Sequence, residues 1–252
     1  MRVVPRQFAM AVGAVGLAGA ATLAHAQGGP PLITNDPGTP GAGHWEINLA
    51  AAGSRMAGQW DIATPDVDVN YGWGAHVQLS LHVPWNHRKT DGQRWSSAPG
   101  PVELAVRWRF LDEDRSGVAM AIQPHWVSAG LADAVRKDLA PDYQEFVLPL
   151  QMAKSFGKSI LGVEIARHLA KRAPDAWQAG VFWANACGQT WQCLAEVNST
   201  RAQGSTGETT VNIGARHSLS QHVILMGTLG KQVSGESPRA SSVFYVGVQL
   251  LR

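Results

Sequence analysis

The sequence lacks most of what marks helical membrane proteins and soluble enzymes. Beyond residue 26, no stretch of the 252 residues comes near the roughly 18 to 20 uninterrupted apolar residues a helix needs to cross a bilayer. If that part of the chain spans a membrane it must do so as a closed β-barrel, because only helices and barrels satisfy their backbone hydrogen bonds in lipid. Cysteine is scarce: Cys187 and Cys193 are the only two. Two thiols without a further Cys or His pair leave a zinc shell incomplete, so no metal is expected. Neither G-x-S-x-G nor H-E-x-x-H occurs, and the nearest histidine–serine pair, His125 and Ser128, has no orienting group beside it in sequence. No catalytic residue, no cofactor and no enzymatic activity are therefore expected. No repeat of about 20 to 50 residues recurs, which argues against a propeller or solenoid.

An excess of one charge is also missing. The chain has 21 basic and 19 acidic residues, formally +2. Arg2 and Arg6 are the only charged residues among the first 26, so the remainder holds 19 of each sign and no net charge. That leaves no basic footprint for nucleic acid.

What is present at the start is an export signal in outline. Arg2 and Arg6 precede an apolar run from Phe8 to Leu23, and Ala24-His25-Ala26 comes next. This is the order of a secretory signal peptide over residues 1–26, cut after Ala26. In an oxidising compartment Cys187 and Cys193 are expected to form a local disulfide clamping a turn, although their spacing does not supply the Cα separation. Residues 27–43 hold so much Pro and Gly that neither a helix nor a sheet ladder is expected to run through them. They read as an extended lead, either periplasmic or tucked into the interior of a barrel as a plug.

From residue 44 to 252 the dominant signal has period two. In Val102–Phe110 every even position is large and apolar, namely Val102, Leu104, Val106, Trp108 and Phe110, while Glu103, Arg107 and Arg109 share the opposite face. A helix would scatter those charges around its circumference; a strand with one apolar face collects them. Similar segments predict about twelve strands of roughly 9 to 12 residues. They lie near 44–53, 61–72, 75–84, 101–111, 117–126, 143–154, 159–168, 176–186, 190–200, 208–217, 221–230 and 242–251. The expectation is an all-β, up-and-down, antiparallel transmembrane barrel.

Two independent patterns agree with a barrel in the outer membrane of a Gram-negative cell. Connections expected on the periplasmic side, such as 112–116, 155–158 and 218–220, are short, whereas the two longest, near 85–100 and 127–142, fall on the opposite side. Trp45, Trp60, Trp73, Trp85, Trp108, Trp126, Trp177 and Trp191 fall at or near strand ends, where barrels place belts against the lipid interface.

The segment Gly29-Pro30-Pro31-Leu32-Ile33-Thr34-Asn35-Asp36-Pro37, continuing to Gly43-His44-Trp45-Glu46, resembles the opening of a family of bacterial outer-membrane barrels assigned to transport in the MetA pathway of phenol degradation. Asn35 stands where that family's pattern has an Asp. The resemblance implies uptake of small organic molecules, hydrophobic or aromatic ones among them; an outer-membrane barrel has outer-membrane lipids and the outer-membrane assembly machinery as its expected partners. Many such barrels end in an aromatic residue that this machinery reads, whereas this sequence ends Leu250-Leu251-Arg252.

In a barrel of this register Asp66, Asp68, Glu103, Arg107, Arg109, Glu164 and Arg216 point into the lumen. Unpaired charges away from water are costly. The seven either line a water-filled, selective passage or pair with one another in a closed lumen. The expected role is a channel or facilitated transporter; a filled structural or surface-binding barrel is the alternative, with a lipid-modifying enzyme or a soluble periplasmic β protein behind it.

Overall fold

The computed structural model of the protein describes residues 29–235 and 242–252. The expected signal peptide lies outside the described residues. Among the described residues no helix is long and apolar enough to cross a membrane.

Strands β1 (Trp45–Met56), β2 (Gln59–Trp73) and β3 (Val77–Thr90) form a meander, followed by the short β4 (Ser96–Pro99) and by β5 (Glu103–Leu111). β6 (Ala119–Ile122) and β7 (His125–Val127) both pair with β5 on one side and with β8 (Glu145–Phe156) on the other, so they are two halves of one wall strand. β9 (Ser159–Ala170), β10 (Ala176–Ala186), β11 (Trp191–Ala202), β12 (Glu208–Ser218), β13 (Val223–Ser234) and β14 (Ser242–Leu251) complete the wall. β14 returns to β1 in antiparallel register from Glu46↔Leu251 to Arg55↔Ser242. With β4 only extending the hairpin of β3, the result is a closed, antiparallel, twelve-stranded barrel. Closure leaves no unpaired wall edge, which lipid would not tolerate.

Residue alternation sets which face is which. Leu104, Val106, Trp108 and Phe110 are exposed on the outside of β5, and Arg107 between them is buried. The same holds around the ring: Leu148, Ile165, Val181, Val197 and Ile213 face outward, while Gln151, Glu164, Glu196 and Asn212 are buried within. Apolar outside and polar inside is the inverse of a water-soluble barrel and suits a lipid surround. Exposed Trp45, Trp73, Trp108 and Trp191 lie toward the end of the barrel where β1 begins and β14 stops, and Trp85, Trp126 and Trp177 toward the other. Val181, midway along β10 on the outer face, is therefore a site of large cost for charge. Val181→Arg is expected to lower stability by about 2–4 kcal/mol, checked by urea unfolding in vesicles, whereas the same change at the exposed rim residue Leu131 costs little.

Three features depart from the sequence-based boundaries. The segment 85–90, rich in Asn, His, Arg and Lys, was expected as loop, yet β3 continues through it and pairs with Gln59–Ala63 of β2. Beyond the hydrocarbon a strand needs no apolar face, so alternation ceases to report it. The expected strand 117–126 is broken at Gln123-Pro124, because Pro124 has no N–H for the ladder. The connection between β1 and β2 is only Ala57-Gly58, although it lies at the end where longer connections were expected.

At that end the two long connections lock to each other. The short α2 (Ala132–Arg136) packs on β4 through Ala98, Ala134 and Leu139. Asn86 Nδ2 donates to the Leu139 carbonyl at 2.8 Å, Lys137 Nζ donates to the Ser97 carbonyl at 3.1 Å, and Arg88 bridges Asp61 and Asp138. The Lys137 ammonium, hydrogen-bonded to Asp133, holds that carboxyl below its ordinary pKa. At the opposite end α1 (Glu113–Ser116) spans the connection from β5 to β6. Cys187 and Cys193 are joined by a disulfide with Cα atoms 5.8 Å apart, across the turn from β10 to β11.

Candidate functional site: the lumen and its N-terminal lead

Residues 29–38 lie inside the barrel, held by inward-facing side chains of the wall, and 39–43 run along its end to β1, with Thr39 Oγ1 donating to the Ala75 carbonyl at 3.1 Å and the Gly43 N–H to the Gly72 carbonyl at 2.9 Å. Pro and Gly leave this stretch with few partners of its own, so its backbone groups must find them elsewhere. Glu196 of β11 accepts from the backbone N–H groups of Ile33 and Thr34, one on each carboxylate oxygen, both at 2.8 Å. Asn212 Nδ2 donates to the same carboxylate at 2.6 Å. Asn198 Nδ2 donates to Thr34 Oγ1 at 3.2 Å, Thr228 Oγ1 to the Pro31 carbonyl at 2.9 Å, and Arg216 Nη2 to the Pro30 carbonyl at 2.7 Å. Across the lumen Arg107 Nη1 donates to the Gly38 carbonyl at 2.7 Å. Leu32 is buried against Phe182, Ala184 and Leu194, a small apolar cluster inside an otherwise polar lumen.

Close approach is built into the wall by two glycines. A Cβ at Gly180 would collide with the Thr34 side chain, and one at Gly72 with the Gly41 carbonyl. Any other residue at either position would push the lead off the wall.

The seven residues expected in the lumen do face inward, but they are held by different means. Asp66 meets His82 Nε2 at 2.5 Å, Glu103 lies 3.9 Å from His125 Nε2, and Arg109 Nε is 3.0 Å from Asp112 near one end. Asp68 accepts from Asn48 and Asn70 at 3.0 and 2.9 Å. Arg107 donates from Nε and Nη2 to Gln123 Oε1 at 3.0 and 2.6 Å. Glu164 accepts from Gln151 Nε2 at 2.9 Å and from Asn35 of the lead. Amides and the lead's own backbone thus satisfy much of the buried charge. His125 and Ser128, the nearest sequence pair for nucleophilic chemistry, serve other partners: His125 Nδ1 meets the Gln123 carbonyl at 3.1 Å, and Ser128 Oγ accepts from the Val102 N–H at 2.8 Å.

Sequence reasoning missed Glu196, the residue that grips the lead. Its signal was present: it is the one charged residue in Cys193–Ser199, in phase with Leu194 and Asn198 on the inward face. Glu46, carried in the family-like opening segment, and His82, on the polar face of β3, were likewise not singled out.

The lead separates two cavities. One, of about 290 Å³, lies between the lead and the wall of β1, β2, β3 and β5; the other, of about 560 Å³, opens at the α1 end. Asp36 and Gly38 line both.

Neither a family model nor a curated protein matches the sequence. Among solved structures, an outer membrane channel from Pseudomonas putida F1 superposes with a TM-score of 0.65 at 12% identity, covering 84% of this chain and 95% of that one. What the two share is the fold, a closed, antiparallel β-barrel. The NanC porin matches with a TM-score of 0.57 at 8% identity, over 81% of this chain and 98% of its own. The KdgM porin, in complex with disordered oligogalacturonate, matches with a TM-score of 0.55 at 10% identity, over 81% and 98%. Identities this low carry the fold and leave the solute to the lining.

Proposed function

We propose that the protein is an outer-membrane channel, passing small solutes passively, with the N-terminal lead as its constriction. The apolar exterior between two tryptophan belts supports the location, with the joined ends of β1 and β14 toward the periplasm. One observation carries the channel reading: Asp36 and Gly38 of the lead stand at the boundary of two chambers, of about 290 and 560 Å³, each large enough to hold several waters. A barrel filled for purely structural reasons would have side chains where these chambers are.

The 290 Å³ chamber is lined mainly by polar and charged residues, which supports polar solutes. Hydrophobic or aromatic solutes, implied by the family resemblance, would need an apolar track, and the apolar cluster around Phe182 is already covered by Leu32. No step of bond chemistry is proposed. The test is planar-bilayer recording on the purified, refolded chain. Discrete ohmic steps are expected; a barrel shown to be folded by its β-sheet circular dichroism, yet silent, would overturn the reading and favour a structural role.

A further inference from the structure

The lead divides the lumen unequally. Its hydrogen bonds run mainly to β9 and to β11–β13, through Glu164, Glu196, Asn198, Arg216 and Thr228. The 290 Å³ chamber occupies the other side, and its charged lining is one-sided. Asp36 comes from the lead, Glu46 from β1, Asp66 and Asp68 from β2, and Glu103 from β5. Against these five carboxylates stand, among the described residues of the lining, one guanidinium, Arg107, and two imidazoles, His82 and His125. Counted formally, with every carboxylate ionised, five negative charges against one positive leave −4 with both imidazoles neutral and −2 with both protonated. Arg216 acts on Asp36 and Glu46 from outside the lining and reduces either figure by one.

A second observation says what is missing. Asn48 lines the same chamber at 1% exposure, and its Nδ2 is spent on Glu46 and Asp68 at 3.3 and 3.0 Å. Its Oδ1 has no hydrogen-bond partner among the described residues. Buried amide oxygens are seldom left without a donor. Here the orphaned acceptor sits among surplus carboxylates, so the complement is a group that is positively charged and carries N–H donors. A low-dielectric wall focuses such a field on the passage.

We infer that this chamber selects small cations bearing N–H groups, of the methylammonium or methylguanidinium type, over anions. The inference rests on the channel reading for its transport consequence, and on the chamber alone for binding. In planar bilayers under asymmetric methylguanidinium chloride, the reversal potential is expected to report a cation-over-chloride permeability on the order of tenfold, since rings of acidic side chains favour cations in a pore. Asp66→Asn/Asp68→Asn/Glu103→Gln is expected to bring the ratio close to unity. Asn48→Leu is expected to weaken the preference for methylguanidinium over potassium while leaving cations favoured over chloride. A wild-type ratio at or below unity, or a ratio the triple variant leaves unchanged, overturns the inference while the channel reading stands. Should the folded barrel be silent, the channel reading fails alone, and calorimetric titration of methylguanidinium into the detergent-solubilised full chain decides. Saturable binding that the triple variant loses supports the chamber's assignment; absence of binding overturns it.

Discussion

Deleting residues 27–43 is expected to raise single-channel conductance on the order of threefold, because a twelve-stranded wall encloses more cross-section than its own inward side chains fill. The lead occupies that section between Gly38, held by Arg107, and Pro30, held by Arg216. The wall's ladders run from strand to strand and do not pass through the lead, so the barrel survives its removal. The stability cost is local. Leu32 leaves its cluster with Phe182, Ala184 and Leu194, a loss of about 1.5–3 kcal/mol for one buried leucine, visible as a lower unfolding midpoint. Conductance equal to that of the full chain would show that the lead does not set the constriction.

Glu196→Ala is expected to loosen the lead without shortening the chain. Both carboxylate oxygens accept from lead N–H groups; the buried Thr34 donor, left unpaired, costs about 1–3 kcal/mol, and the half-exposed Ile33 donor costs less. Together that is enough to move the lead from almost always docked to undocked for a measurable share of the time. The expected record shows brief excursions to the conductance of the deletion variant, with faster cleavage of the lead by added protease. Glu196→Gln keeps one accepting oxygen and so gives an intermediate frequency of excursions. If both variants record like the unaltered chain, Glu196 does not anchor the lead.

The wall was legible because membrane and lumen impose opposite polarity on alternate residues. Val102–Phe110 announces its faces without ambiguity, and β10 and β14 run from Ala176 to Ala186 and Ser242 to Leu251, as the alternation places them. The pattern failed where that imposition stops. Asn86–Thr90 extend β3 beyond the bilayer, where both faces meet water or protein, and Pro124 interrupts a strand whose flanks still alternate. The site was half legible. The inward charges followed from parity alone, but their partners did not, since Glu164 and Arg107 are satisfied by Asn35 and Gly38, which lie far from them in sequence. The departure of Asn35 from the family-like pattern has a physical counterpart: an amide can donate to Glu164, whereas a second carboxylate would repel it.

The seam between β1 and β14 also bears on the order of events during assembly. Trp45 and Arg252 exchange both backbone hydrogen bonds, at 2.7 and 3.0 Å, and the lead runs directly from Gly43 into the first of these two strands. The ring is therefore completed by the strand that carries the lead and by the strand farthest from it along the wall's sequence. Until those two meet, the lead can swing in from the side; afterwards it can enter or leave only along the bore. Closing of the seam thus changes the path open to the lead, and in a chain with a weakened grip every undocking and return after closure runs along the bore.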